Sequence, residues 1–124
     1  MTPFGAQVRA LRAERGVTLV QMAEALGVTP AYLSALEHGR RGRPTFTLLQ
    51  GILHVLGIIW DEADELLRLA DLSHPRVTID TAGLDPDATL LANRLSREIG
   101  LLEGEDLRRL SAVLDEADAR RDPG

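Results

Sequence analysis

Apolar side chains recur at intervals of three and four residues along most of the chain, which is the spacing of one face of an α-helix. Thr18 and Thr29 are placed to cap the second and third helices, and Pro30 suits the first turn of the third. The pattern predicts five consecutive helices in the first 71 residues. Their inward-facing residues are expected to be Phe4, Val8, Leu11, Met22, Ala23, Leu26, Leu33, Leu36, Phe46, Leu49, Ile52, Leu53, Leu56, Ala63, Leu66, Leu67 and Ala70.

The helical pattern breaks at residues 72–85, which hold proline, glycine and the alternating piece Val77-Thr78-Ile79. We interpret this segment as a linker with one possible short strand. Asp85-Pro86 then predicts the start of a helix that runs to about residue 99, and a last helix is predicted from about residue 105 to 120. The expected organisation is all-α, with a helical domain at 1–71, a linker at 72–85 and a helical extension at 86–124.

Residues 19–44, LVQMAEALGVTPAYLSALEHGRRGRP, hold two of these helices joined by a short turn. Two helices can cross steeply only where a small residue lets them approach, and Ala23 occupies such a position. Gly27 lies in the turn, where a positive φ angle favours glycine. The stretch therefore predicts a helix-turn-helix, although Ala23 and Gly27 alone would fit any helical hairpin.

A wider set of residues makes the prediction more specific. About residues 4–60 resemble the phage-repressor-like (Cro/CI, XRE) family of helix-turn-helix transcriptional regulators. The resemblance implies a five-helix domain whose second motif helix, about residues 29–38, lies in the DNA major groove. It is carried by the spacing of Arg12, Gly16, Ala23, Gly27, Val28, Leu33, Glu37, Gly39 and Pro44.

The resemblance also assigns roles to individual residues. Arg12 and Glu37 would form a structural ion pair between helices. The loop arginines Arg40, Arg41 and Arg43 would hold DNA phosphates, with a solvated loop as the alternative. The base-facing residues would be Thr29, Pro30, Ala31, Tyr32, Ser34 and Ala35.

Two departures from the family pattern stand out. Leu19 occupies the position where the family carries a glutamine that orients on a phosphate. The base-facing set contains no Arg, Gln or Asn, the residues that read bases with two hydrogen bonds. We therefore expect modest base discrimination, through Ser34, Tyr32, Thr29, thymine methyl contacts, water or DNA shape.

The C-terminal extension carries apolar rows that are predicted to form a homodimer. Leu91 and Leu95 share one face of its first helix. Leu107, Leu110 and Leu114 follow the narrow seam of a helix that meets another helix. Such a row is more often plain core, but the chain after residue 85 is too short to build its own core, which favours a contact between two chains.

Charge differs between the two halves of the chain. Residues 1–60 hold six arginines and three acids, whereas residues 61–124 hold eight arginines and sixteen acids. This asymmetry fits a basic half that meets a polyanion, for which the resemblance implies double-stranded DNA, although an excess of solvated acids on the C-terminal helices would explain it equally well. The leading hypothesis is a homodimeric, DNA-binding transcriptional regulator acting on an inverted-repeat operator. The alternative is a protein-interaction module, antitoxin-like or polymerase-binding, that keeps the motif as a scaffold.

Other classes of function find little support in the composition. The chain has no cysteine, which excludes disulfides and thiolate metal sites. Its three histidines, His38, His54 and His74, lack the spacing of metal ligands or of a catalytic arrangement. We expect no enzyme activity, no metal and no cofactor, and the sequence identifies no small-molecule effector. The longest apolar stretch has 13 residues and no targeting signal is visible, so a cytoplasmic protein without membrane contact is expected.

Overall fold

The structure, a computed structural model, describes residues 1–122, and every regular element within them is helical. The prediction of an all-α fold is confirmed. The chain divides into two compact units, residues 1–77 and the residues from 78 onward, so the division falls inside the predicted linker. The last two residues of the predicted extension, 123 and 124, lie outside the described part. The helices are α1 Pro3–Glu14, α2 Leu19–Leu26, α3 Pro30–Glu37, α4 Phe46–Leu56, α5 Trp60–Asp71, α6 Pro86–Glu98 and α7 Gly104–Arg121, with a 3₁₀ turn Ile99–Leu101 after α6.

Threonine caps fix the starts of the first four helices. The hydroxyl oxygens of Thr2, Thr18, Thr29 and Thr45 each accept a backbone N–H from the first turn of the helix that follows. At α2 the arrangement is a full capping box, because the side chain of Gln21 also accepts the backbone N–H of Thr18 at 2.9 Å. These bonds satisfy donors that a helix leaves unpaired, which is why short helices begin where they do.

The core of residues 1–77 forms where α1 packs against α3 and α5, and α2 packs against α3 and α4. Gly5 permits the close approach of α1 to α3. A Cβ atom added at Gly5 would lie 1.9 Å from the carbonyl oxygen of Glu37, so α1 rests directly on the backbone of α3. Fourteen hydrophobic side chains are buried here: Phe4, Val8, Leu11, Met22, Ala23, Leu33, Leu36, Leu49, Ile52, Leu53, Leu56, Ile58, Leu66 and Ala70.

Two sequence predictions about this unit and the linker are wrong. Phe46 was expected to face inward, but its side chain is 71% exposed because it is the first residue of α4 and lies at the edge of the apolar stripe. Val77-Thr78-Ile79 forms no strand, and no strand occurs within residues 1–122. A strand needs a partner to satisfy its backbone groups, and three alternating residues have none among these helices.

The unit from residue 78 onward contains α6, the 3₁₀ turn and α7. Asp85 caps α6 by accepting the N–H of Asp87, and Glu103 and Asp106 form a capping box at the start of α7. No residue of α6 or α7 is buried within this chain. Local hydrogen bonds thus define these helices without a closed core.

Candidate nucleic-acid interface

The turn between α2 and α3 has the geometry that the sequence predicted. Gly27 adopts φ +72°, a left-handed conformation that favours glycine. The N–H of Val28 donates to the carbonyl of Ala23 at 3.0 Å, which closes the end of α2. Ala23 is completely buried. The two helices are therefore locked together at a tight corner that leaves one side of α3 free.

The two sides of α3 differ sharply in character. Leu33, Leu36 and Glu37 are buried and attach the helix to the core. The opposite side presents the residues that the sequence predicted to face bases. Thr29, Pro30 and Ala31 are exposed, and Tyr32, Ser34 and Ala35 are half-buried. Apart from Tyr32 these side chains are small, and none of the six is charged, so another molecule can approach the helix closely.

An ion pair between an arginine of α1 and a glutamate of α3 holds α3 on its buried side. Arg12 Nε and Nη2 donate to Glu37 Oε2 and Oε1, both at 3.1 Å, and Arg12 Nη1 donates to the carbonyl of Val17 at 3.3 Å. The side chains of Arg12 and Glu37 are only 11% and 4% exposed. This is the structural ion pair between helices that the family resemblance implied. It connects α1 to the last residue of α3 through two charge-assisted bonds.

The loop after α3 leaves the helix along a fixed path. Gly39 adopts φ +78°, and the N–H of Arg40 donates to the carbonyl of Ala35 at 2.9 Å. His38 Nδ1 lies 2.8 Å from the carbonyl oxygen of Ser34. The arginine loop therefore begins in a defined orientation beside α3.

The three loop arginines have different surroundings, which the sequence did not predict. Arg40 and Arg41 are exposed, and neither forms an ion pair within residues 1–122. The guanidinium carbon of Arg41 lies 5.2 Å from the centroid of the Tyr32 ring, in a cation–π contact. Arg43 Nε instead donates to Asp71 Oδ1 at 2.7 Å, at the end of α5. Neither partner could be found by helical spacing, because each lies on a different element.

The predicted dimer residues lie in the second unit. Leu91, Leu107, Leu110 and Leu114 are exposed there, and Leu95 is half-buried. The structure thus buries none of these leucines within its own chain.

Two further properties bear on what the described residues can do. No group of three or more His, Asp or Glu side chains within residues 1–122 is placed to hold a metal ion. Over the same residues, no helix is both long enough and apolar enough to cross a membrane.

Known proteins share sequence similarity with the helix-turn-helix unit of this chain. The helix-turn-helix domain family matches residues 3–72, which is more than half of the chain. Over 61 residues the chain is 36% identical to an uncharacterized HTH-type transcriptional regulator, RghRB, and 39% identical to the HTH-type transcriptional repressor RghR, both of Bacillus subtilis (strain 168). Each match takes in 49% of this chain but only 44% and 45% of these relatives, so the chain spans less than half of their length.

A solved structure extends the similarity beyond the motif. The crystal structure of the clp gene regulator ClgR from Corynebacterium glutamicum is 31% identical and covers 87% of this chain and 85% of its own, with a TM-score of 0.50. The likeness therefore reaches past residue 77.

Proposed function

Because the chain belongs to the helix-turn-helix family of transcriptional regulators, we propose that it binds double-stranded DNA sequence-specifically through α3 and acts as a homodimer on an inverted-repeat operator. The observation that carries the proposal is the exposed side of α3, whose side chains are uncharged and, apart from Tyr32, small, and which lies beside an arginine loop. A helix of this kind fits the major groove, where its side chains reach base edges.

The charges of the loop support the same proposal. Arg40 and Arg41 are exposed cations without a carboxylate partner in the described part of the chain, so their charge is available to a polyanion. Arg43 is 35% exposed and shares its charge with Asp71. Arginines beside the groove would displace counterions from DNA and provide affinity that falls steeply with salt.

The unit from residue 78 onward supports the dimer. Leu107, Leu110 and Leu114 repeat along one side of α7 and remain exposed, and burying such side chains against a second copy removes apolar surface from water. A single small reading helix gains affinity and site length when two copies act together. The two α3 helices would enter successive major grooves about 34–36 Å apart, so the half-sites of the operator would be centred about one helical turn apart.

The DNA experiment compares two triple variants. Arg40→Ala, Arg41→Ala and Arg43→Ala together should weaken binding and flatten the slope of log affinity against log salt by up to about five for a dimer. The control replaces Arg76, Arg97 and Arg120, which are exposed arginines outside the loop, and removes the same charge. Equal slopes for both triple variants would exclude the loop from the interface. Absence of DNA binding by the unchanged protein would favour a protein-interaction module.

The dimer is tested by Leu110→Asp with Leu114→Asp. Light scattering should report a monomer, and affinity for the operator should collapse while the helical signal of residues 1–77 persists. Leu84→Asp with Leu101→Asp is the control, since these leucines are exposed in the same unit but lie outside the row. A dimer that survives the first pair of substitutions would place the interface elsewhere.

A further inference from the structure

The contact between Arg41 and Tyr32 joins the arginine loop to the base-facing side of α3. The guanidinium carbon lies 5.2 Å from the ring centroid of Tyr32. The family resemblance implied a phosphate contact for Arg41, and none of the six predicted base-facing residues is an arginine. The structure brings one to that side from outside the helix.

Both partners of this contact are held in place by the backbone. The N–H of Tyr32 donates to Thr29 Oγ1 at 3.1 Å, and the neighbouring Leu33 is completely buried, which fixes the start and the rotation of α3. The bond from Arg40 N–H to the carbonyl of Ala35 fixes the loop just before Arg41. The backbone on each side of the contact is therefore anchored, and the Tyr32 ring is the group that the guanidinium contacts.

A guanidinium in a cation–π contact keeps its hydrogen-bonding capacity. The ring face offers no oxygen or nitrogen acceptor, so the five N–H donors remain available to another partner. Arg41 has no carboxylate partner within residues 1–122, so no ion pair competes for these donors. Holding the side chain in advance also reduces the ordering entropy lost on binding.

We propose that Arg41, positioned by Tyr32, reads a guanine in each half-site of the operator through paired hydrogen bonds to O6 and N7. Guanine presents these two acceptors in the major groove, and arginine's fork of donors matches them. Arg41 is then a specificity-determining residue and Tyr32 its positioning residue. Arg40, which lacks a ring partner, remains a phosphate contact. The inference rests on the proposed DNA-binding function.

The experiment selects binding sites from random duplexes with the full-length protein and sequences them. For the unchanged protein we expect a G·C pair at one position of each half-site. Arg41→Lys keeps the charge but loses the planar fork, so preference at that position should fall by about tenfold, since lysine can still donate to guanine, while the other positions and the salt slope stay the same. Arg40→Lys is the matched control and should leave the base preferences unchanged.

Tyr32 is tested by two substitutions that separate positioning from packing. Tyr32→Phe retains the ring and should keep the guanine preference, whereas Tyr32→Leu removes the ring and should lose preference at the same position as Arg41→Lys. Thermal unfolding of each variant confirms that it folds. Specific binding by the unchanged protein with identical base preferences for Arg41→Lys would overturn this inference alone. Failure of the unchanged protein to bind DNA would overturn the proposed function and this inference together.

Discussion

Residues 1–77 and the residues from 78 onward are built from the same aliphatic helices, yet they differ in what those helices bury. The first unit encloses fourteen hydrophobic side chains. In the second, α7 is the longest helix of the described chain, and neither it nor α6 contains a buried residue. Both units have capped helices. The comparison shows that local signals are enough to start and stop helices, whereas a core needs several elements packed together.

One arginine–glutamate pair in each unit shows the same difference in burial. Arg12–Glu37 and Arg94–Glu98 are both two-bonded arginine–glutamate pairs with N–O distances of 2.9–3.2 Å. The first joins two helices and is almost buried, whereas the second joins neighbouring turns of α6 in water. Removing one partner of an ion pair should therefore destabilise the fold strongly in the first unit and only weakly in the second.

The largest expected effect on stability comes from removing the glutamate of the buried pair, compared with removing that of the exposed pair. Glu37→Ala leaves the guanidinium of Arg12 buried without its carboxylate, which should lower the free energy of unfolding by about 3–5 kcal/mol. Glu98→Ala removes a pair of the same geometry from an exposed surface and should shift the thermal midpoint far less. Circular dichroism during heating measures both. Similar midpoints for the two variants would show that burial does not distinguish these pairs.

The next largest difference in stability is expected between two glycine-to-alanine substitutions, one in each unit. Gly5→Ala places a Cβ atom 1.9 Å from the Glu37 carbonyl oxygen, and a backbone atom cannot move aside as a side chain can. We expect a loss at the upper end of about 1–3 kcal/mol as α1 shifts away from α3. Gly100→Ala meets no atom within 4 Å and should be neutral or slightly stabilising. Chemical unfolding of both variants checks this, and an unaffected Gly5→Ala protein would contradict the close approach of α1.

Protein concentration offers a third way to compare the units. A fragment of residues 1–77 has its own core and should unfold at a midpoint that does not depend on concentration. A fragment of residues 78–124 should gain about 1.4 kcal/mol of dimer stability for each tenfold increase in concentration, because association is linked to folding. Leu110→Asp with Leu114→Asp should abolish that dependence. A concentration-independent midpoint for the second fragment would show that it folds as a monomer.

The smallest expected effect is a pH dependence of stability that arises from one glutamate in each unit. Hydrogen bonds from Arg68 and Arg94 lower the pKa of Glu65 and Glu98, which lie in different units. Because each pKa is lower in the folded state, the stabilisation is present above the ordinary glutamate value and disappears as the pH falls through the folded value. NMR titration of the two carboxylates should find both midpoints below the ordinary value. A normal midpoint for Glu98 alone would show that its pair is not maintained in solution.

Much of the first unit could be predicted because its signals are local. The capping box of Thr18 and Gln21 and the Thr29-Pro30 start of α3 involve residues within three positions of one another. The sequence expectation failed at Phe46, since which residues at the edge of an apolar stripe are covered depends on neighbouring helices. It also failed at Val77-Thr78-Ile79, since alternation predicts a strand only where another strand can pair with it.

Of the candidate interface, the sequence by itself determined the helices, the tight turn at Gly27 and the small residues along α3, because periodicity, caps and glycine conformation act over a few neighbouring residues. Only the tertiary structure decided what the loop arginines contact. It brought Arg41 over Tyr32 and Arg43 to Asp71, 28 positions away. It also set α1 against α3 at Gly5. These contacts join residues on different elements, and their partners follow from how the helices pack, which no local pattern encodes.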